Sequence, residues 1–176
     1  KLTGAVDWEE ETYQNTDPFG FADTSERSGT TIGYVAQYEL IFNDRLSLSA
    51  AGRYDDNDRF DDAFTYRIQG SYRFDGGFRL HAATATGVKA PGVYELYGYL
   101  PPPGGFISNP DLKPERSRTF DLGVEQRLLH GRLRAEATAF HHDYRDQIAF
   151  ELVDFTTFEG THVNLGRPPA RWVELE

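Results

Sequence analysis

Cysteine and methionine are both absent from the 176 residues of this chain. Without cysteine there is no disulfide framework, no thiolate nucleophile and no cysteine-ligated metal. Long apolar runs are missing too, since no stretch approaches the roughly 18 consecutive apolar residues that a membrane-spanning helix needs. This excludes helical membrane spans, although a strand can still cross a bilayer because it shows lipid only every second side chain.

Positive charge is in short supply. The chain has 18 Lys and Arg against 28 Asp and Glu, a formal net charge of -10. The basic residues are scattered, so a phosphate backbone would be repelled and nucleic acid is not an expected partner. The chain starts at Lys1 with neither a charged leader nor an apolar signal segment, and we expect that an upstream part of the protein has been removed.

The dominant positive feature is alternation with a period of two residues, in a chain that is 39% hydrophobic and 14% aromatic. In the clearest run one face is apolar: Phe64, Tyr66, Ile68, Tyr72 and Phe74. The opposite face is polar: Thr65, Arg67, Gln69, Ser71 and Arg73. Comparable runs surround Tyr34, Leu48, Leu80 and Leu122. Each run lasts about 9–12 residues, which suits a tilted strand in a bilayer better than the ~5–6 residues of a soluble sandwich strand.

The connections between these runs alternate between short and long. Short turns are predicted at Asn43-Asp44, Asp75-Gly76-Gly77 and His130-Gly131. Long polar loops are predicted at Gln14–Ser28, Asp55–Asp62, Lys89–Glu115 and Glu151–Gly160. Tight turns at one end and long loops at the other are typical of outer-membrane barrels. The sequence therefore predicts an all-β fold, an antiparallel up-and-down transmembrane β-barrel segment of about eight strands.

Aromatic side chains lie near both ends of the predicted strands. Those near the short turns are Phe42, Tyr72, Phe74 and Phe78, and those at the opposite ends are Tyr13, Tyr54, Phe64 and Tyr144. We interpret them as two girdles at the membrane interfaces, against the alternative of ordinary β-propensity. After Leu133 the pattern weakens, because Phe140 and Tyr144 take the opposite parity to Ala139, and a β-bulge would reconcile them.

The stretch from Thr86 to Phe150 resembles the barrel of TonB-dependent receptors. The specific part is Asn109-Pro110-Asp111-Leu112-Lys113-Pro114-Glu115, followed by Phe120-Asp121-Leu122-Gly123-Val124-Glu125. Lys89-Ala90-Pro91 and Glu95-Leu96-Tyr97 belong to the same resemblance. Weaker similarity at Ala51-Gly52-Arg53-Tyr54-Asp55, Val163-Asn164-Leu165-Gly166 and Val173-Glu174-Leu175-Glu176 extends it over nearly the whole chain.

This resemblance implies an architecture and a function for the whole protein. Family members have a plug domain, absent here, inside a barrel of about 22 strands, so residues 1–176 would be part of the barrel. It further implies a bacterial outer-membrane location, contact with outer-membrane lipid, and uptake of a scarce small molecule such as a ferric siderophore or cobalamin. The plug and a TonB-type energy-coupling protein would be partners in that uptake. Neither enzymatic activity nor a cofactor is implied.

Two departures from the family pattern lie near the end of the chain. Pro168 and Pro169 stand where the family continues a strand, and two prolines remove two ladder donors. Trp172 stands where the family usually has glycine. These residues leave open whether the final strand is broken.

Candidate ligand contacts lie in the loop from Lys89 to Glu115: Tyr94, Tyr97, Tyr99 and Phe106, beside Pro101 to Pro103. Aromatic side chains on a loop offer a large contact area at low entropic cost, which suits a bulky chelate or macrocycle. A structural role is the alternative. For the family motif we favour that alternative, in which these residues hold the loop base on the barrel rim: Ala90, Pro91, Glu95, Leu96, Asn109, Pro110, Leu112, Lys113, Pro114 and Glu115.

Other titratable residues have simpler explanations. Five aspartates form a weak calcium candidate, Asp55, Asp56, Asp58, Asp61 and Asp62, but the glycine and closing glutamate of an EF-hand loop are missing and a solvated loop is favoured. His141 and His142 point to opposite faces of a strand and cannot easily chelate one metal. Charged residues of the polar face are expected to pair across strands or contact a plug: Glu39, Arg53, Arg67, Arg73, Arg79 and Glu125.

Three classes of function fit this pattern to different degrees. A transport receptor is favoured by the family motifs. The runner-up is a complete eight-stranded outer-membrane barrel, either an adhesion or structural protein or an outer-membrane enzyme. A soluble β-sandwich lectin is the weakest, because spans of about ten alternating residues are too long for it. Cobalamin, ferric siderophore, haem and oligosaccharide all remain open as ligands.

Overall fold

The computed structural model describes residues 1–16, 24–100, 104–129, 132–166 and 169–175, the last as backbone. The strands are β1 Leu2–Tyr13, β2 Arg27–Phe42, β3 Leu46–Asn57, β4 Ala63–Arg73, β5 Phe78–Lys89, β6 Tyr99–Leu100, β7 Phe106–Ile107, β8 Glu115–Leu128, β9 Leu133–Arg145, β10 Gln147–Asp154, β11 Glu159–Leu165 and β12 Pro169–Leu175. A short helix, α1, covers Val93–Tyr97. Within these ranges no helix has the length and apolar character needed to cross a membrane.

Eight of the strands form one antiparallel sheet in the order β1-β2-β3-β4-β5-β8-β9-β12. Sheet neighbours are chain neighbours except where β6–β7 and β10–β11 intervene, so the predicted up-and-down order is confirmed. The strands β1 and β12 lie at the two edges, and the sheet is open. A complete eight-stranded barrel would pair these two strands. The runner-up prediction is therefore wrong, and the open sheet fits a segment of a larger barrel.

One face of this sheet carries the predicted apolar side chains. Tyr34, Tyr54 and Phe64 are successive cross-strand partners on β2, β3 and β4. Ile68, in the middle of β4, is 52% exposed. The same face exposes further large apolar side chains: Val6, Trp8, Leu40, Leu48, Leu80, Phe120 and Leu122. Because the backbone is paired in the sheet while these side chains have no protein cover, the surface is suited to lipid and not to water.

The register of β9 corrects one prediction. β9 pairs with β8 without a register shift over the whole of Leu133–Arg145. No bulge therefore occurs in this strand, and Phe140 and Tyr144 lie on the polar face, opposite Asp121 and Ser117. The parity change in the sequence reflects aromatic residues on the interior wall.

The two aromatic girdles are revised in membership. Phe42, Tyr72 and Phe74 are exposed on the outward face near the short turns. Trp8, Tyr34, Tyr54 and Phe64 are exposed on that face near the long loops. Tyr13, which pairs with Arg27, and Tyr144 have the inward parity and leave the girdle.

Two of the three predicted tight turns lie in described residues. Asn43 and Asp44 have φ of 50° and 54°, and Gly76 and Gly77 both have φ of 84°. Positive φ at both positions matches the twist of the flanking strands, and glycine adopts it without a steric penalty. The third turn, at 130–131, lies outside the described residues, as do 101–103 and part of the 14–28 loop.

A second, smaller sheet stands at the long-loop end, in the order β10-β11-β7-β6. The predicted loop at Glu151–Gly160 is mostly the β10–β11 hairpin, so that prediction is wrong in extent. β11 pairs in parallel with β7, with Gly160 opposite Phe106. We call α1, β6, β7, β10 and β11 together the cap. It joins segments that are far apart in sequence.

Burial is concentrated in the cap region. Val93, Leu96, Phe106 and Leu112 are 0%, 2%, 4% and 3% exposed, and they are the buried hydrophobic side chains among the described residues. The eight-stranded wall has no comparable core, since its apolar side chains point outward. The molecule thus consists of a wall whose outward face suits lipid and, on its rim, a small core of buried apolar side chains.

The last strand is continuous from its first residue. β12 begins at Pro169 opposite Asp143 and ends at Leu175 opposite Ala137, without a register shift. Pro168 lies outside the described residues. From Pro169 onward the strand is therefore unbroken, which a proline permits at the first position of a strand.

Candidate ligand-binding site on the rim

The helix α1 sets the orientation of the candidate ligand contacts. Its first turn is closed by Glu95, whose carboxylate accepts the backbone N–H of Gly92 at 2.8 Å. Val93 and Leu96, three residues apart, share the buried face of the helix. Tyr94 lies on a different side of the helix and is 42% exposed. The helix is thus fixed by its core face and presents Tyr94 to solvent.

Tyr94 and Tyr97 belong to an aromatic cluster where β1 ends and β2 begins. Tyr94 meets the ring of Tyr13 edge-on, with centroids 6.1 Å apart. The guanidinium of Arg27 lies over the ring of Tyr97, 5.3 Å from its centroid. Arg27 is the cross-strand partner of Tyr13, so β1–β2 pairing places both beside α1. We call Tyr13, Arg27, Tyr94 and Tyr97 the rim cluster.

Phe106 has a different position from its three companions. Its ring stacks on Tyr94 with centroids 4.9 Å apart and meets His162 edge-on at 5.0 Å. At 4% exposed it packs inside the cap, which favours a structural role for Phe106 over the predicted ligand contact. Tyr99 is half-buried in β6, where its carbonyl accepts the side-chain N–H of Asn15 at 3.4 Å.

The first half of the family motif hydrogen-bonds to both sides of the cap. The side chain of Asn109 donates to the carbonyl of His162 at 2.9 Å, while its backbone N–H donates to the carbonyl of Glu95 at 3.1 Å. Asn109 also accepts the N–H of Asp111 at 3.0 Å. Leu112 follows in the buried core. Asn109 therefore connects α1 to β11.

The second half of the motif connects the wall to the hairpin. Asn164 accepts the N–H of Lys113 at 2.8 Å and donates to the carbonyls of Lys113 and Asp146 at 2.9 and 2.7 Å. The carboxylate of Glu115 accepts the N–H of Ile148 at 3.1 Å. These bonds hold the β10–β11 hairpin against the start of β8.

The acidic segment after β3 uses several of its carboxylates internally. The guanidinium of Arg53 donates to Asp55, the backbone N–H of Thr30 donates to Asp58, and the hydroxyl of Tyr54 donates to Asp62. β3 extends to Asn57, which shortens the predicted loop. No group of three or more His, Asp or Glu side chains within the described ranges is placed to hold a metal ion.

The interior face of the wall carries a charge network centred on Glu125. Its side chain is 3% exposed and contacts Arg79, Arg127 and Arg134 at 3.4, 2.9 and 3.5 Å. His81 lies 3.2 Å from Glu136 in the same region. A depression of about 380 Å³ adjoins the network. Glu125 and Arg79 were expected to pair across strands or to contact a plug. The meeting of three guanidinium groups at the Glu125 carboxylate follows only from the strand register.

Sequence reasoning missed Tyr13 and Arg27 as members of the rim cluster. Both flank the 14–28 loop, and the β1–β2 register that pairs them cannot be read across so long a connection. The available signal was strand parity. Tyr13 and Arg27 alternate with the outward-facing Trp8 and Tyr34 on their strands, so both point to the inner face.

Comparisons with known proteins agree with this geometry. Residues 1–168 match the family described as "TonB dependent receptor-like, beta-barrel". The iron-regulated outer membrane virulence protein of Vibrio cholerae is 27% identical over 150 residues, covering 84% of this chain and 23% of that protein. The chain therefore spans about a quarter of the length of this curated relative.

Solved structures share the fold. The siderophore receptor PirA of Pseudomonas aeruginosa has a TM-score of 0.82 at 21% identity, over 99% of this chain and 35% of that one. The ferric enterobactin receptor PfeA of the same organism has a TM-score of 0.78 at 22% identity, over 99% and 30%. The hemophore receptor HasR of Serratia marcescens has a TM-score of 0.72 at 13% identity, over 99% and 38%. The open sheet, its lipid-facing surface and the family match lead to one conclusion: this chain is an outer-membrane segment that belongs to the β-barrel family of TonB-dependent receptors.

Proposed function

We propose that the whole protein takes up a ferric siderophore and that this chain supplies part of its wall and of its ligand-binding mouth. The observation that carries the proposal is the rim cluster, in which three tyrosine rings and a guanidinium lie on the side where outer-membrane barrels face the exterior. Aromatic faces contact planar chelating groups, and a guanidinium attracts an anionic chelate.

A siderophore is favoured over cobalamin, haem or an oligosaccharide. Two of the solved relatives are named as siderophore or ferric enterobactin receptors, and the curated relative is named as iron-regulated. The chain carries a net charge of -10, so an anionic ligand needs a local cation, and Arg27 provides one at the mouth.

Transport itself would depend on parts of the protein beyond this chain. A plug domain inside the completed barrel would face the Glu125 network, where Arg79, Arg127 and Arg134 surround one buried carboxylate. A TonB-type protein drawing on the inner-membrane proton gradient would rearrange that plug. The wall residues would remain fixed and need no catalytic chemistry.

Binding of a ferric siderophore to the whole receptor tests the proposal. Tyr94→Ala and Arg27→Gln should each weaken binding by about tenfold, as expected for an aromatic or arginine anchor worth more than 1 kcal/mol. Tyr38→Ala is the matched control, because Tyr38 is exposed on the outward face away from the rim. Binding would be followed by fluorescence quenching and uptake by growth in iron-limited medium. Unchanged affinity in both rim variants for every ferric chelate tried would refute the proposal.

A further inference from the structure

We infer that Glu11 and Arg59 act as positioning residues for α1, tying the β3–β4 loop to the helix that carries Tyr94 and Tyr97. This inference rests on the proposed ligand-binding role of the rim cluster. Glu11 bridges two segments with its two carboxylate oxygens. Oε1 accepts the backbone N–H of Val93 at 3.2 Å, and Oε2 accepts a guanidinium N–H of Arg59 at 3.1 Å.

The path of Arg59 is determined by a glycine. Glu11 lies directly opposite Gly29 in the β1–β2 ladder. The Arg59 side chain passes over Gly29 so closely that a Cβ there would lie 1.9 Å from Nε of Arg59. Arg59 thereby reaches Glu11 from the β3–β4 loop while its side chain is only 15% exposed.

The base of Arg59 is also fixed. Its backbone N–H donates to the side-chain oxygen of Asn57 at 2.9 Å, and the Asn57 amide donates to Thr31 at 2.7 Å. Within the described residues Nε and Nη1 of Arg59 have no acceptor, so Glu11 is where this guanidinium makes its hydrogen bond. A continuous chain of contacts thus runs from β2 through Asn57, Arg59 and Glu11 to α1.

The consequence concerns the free receptor. Helices as short as α1 are not stable by themselves, so their position depends on packing and tertiary hydrogen bonds. Charge-assisted hydrogen bonds of this kind are roughly twice as strong as neutral ones. Holding α1 in place before the ligand arrives lowers the ordering cost of binding, which raises affinity mainly by slowing dissociation.

Hydrogen exchange of 93–98 in the whole receptor, reconstituted in lipid without ligand, tests the contact directly. Glu11→Ala and Arg59→Ala should each speed exchange there by about tenfold, and the double variant should add little to either. Gly29→Ala should do the same without changing any charge, because it displaces Arg59. Glu10→Ala is the control, since Glu10 has the opposite parity in β1. Unchanged exchange in Glu11→Ala would overturn the inference.

Ligand binding separates positioning from mere stabilisation. In Glu11→Ala and Arg59→Ala the dissociation rate of a bound ferric siderophore should rise severalfold while the thermal midpoint of the barrel stays unchanged. If Tyr94→Ala weakens binding but Glu11→Ala does not, the positioning role is wrong and the proposed function stands. If neither Tyr94→Ala nor Arg27→Gln weakens binding while exchange in 93–98 still rises in Glu11→Ala, the proposed function fails and the Arg59–Glu11–α1 contact is upheld.

Discussion

The wall and the cap are ordered by different physics. In the wall, backbone ladders pair every strand with its neighbours, and the large apolar side chains stay uncovered, as with Ile68 at 52% exposed. In the cap, β6 and β7 have only 2 residues each, and the order around α1 comes from buried side chains such as Leu96 and from side-chain hydrogen bonds such as those of Asn109.

This contrast follows from the solvent of each region. The wall needs a bilayer to cover its outward face, so the membrane takes the place of a protein core. The cap lies beyond the strands that cross the bilayer and must exclude water with its own residues. Stability of the wall should therefore depend on which face a side chain occupies, and stability of the cap on how well its core is filled.

Leu96→Ala is expected to have the largest effect on the cap. Removing a fully buried leucine costs about 2–5 kcal/mol, a large loss for a unit with only a few buried apolar side chains. We expect α1 to lose protection from hydrogen exchange while the barrel strands keep theirs. Leu100→Ala is the control, because Leu100 is exposed in the cap. Equal protection in the two variants would mean that the cap does not depend on its core.

Ile68→Arg and Gln69→Arg compare the two faces of the wall at adjacent positions. Arginine at position 68 would lie near the bilayer midplane and should cost about 2–4 kcal/mol, whereas the polar face at position 69 should tolerate it. Denaturant unfolding of the whole receptor in lipid vesicles measures both. Similar losses would show that the outward face does not meet hydrocarbon.

Asn164→Ala tests the joint between wall and cap, with a smaller expected effect. Asn164 makes three hydrogen bonds, two with Lys113 and one with the carbonyl of Asp146. Their loss should destabilise the β10–β11 hairpin by about 1–3 kcal/mol and leave the β8–β9 ladder intact. Proteolysis within 151–158 should accelerate. Thr161→Ala, which loses one hydrogen bond to Ile107, should accelerate it less.

The wall could be predicted from the sequence and the cap could not, for a physical reason. A strand between lipid and a wet interior must alternate, so Phe64, Ile68 and their neighbours reveal their face locally. Phe140 and Tyr144 are the exceptions, because they are aromatic but face inward. An aromatic side chain can fill space inside the barrel, so the residue type alone does not reveal the face there.

The cap is built from contacts between distant segments. Phe106 reads as an exposed loop aromatic until β7 is placed beside β11, which buries it against His162. Tyr94 and Tyr97 were identified as candidates because they lie on the loop, but Tyr13 and Arg27 join them only through strand register. Glu11 and Arg59 gave no signal at all, since they lie 48 residues apart and Glu11 lies 82 residues from Val93.

Asp154 offers the smallest test, at the tip of the cap. The backbone N–H groups of Thr156 and Thr157 hydrogen-bond to its carboxylate and hold the pKa of Asp154 below its ordinary value. A lowered pKa in the folded state means that the stabilisation is present above the ordinary pKa of about 4 and is lost as the pH falls through the lower value. At pH 6 the segment 155–158 should exchange more slowly than in Asp154→Asn, and the difference should shrink as the pH falls below about 4 and through the lowered pKa of Asp154. Comparison with the variant at each pH removes the intrinsic pH dependence of exchange. A difference that persisted at low pH would assign the order of this turn to the cap's packing and not to its charge.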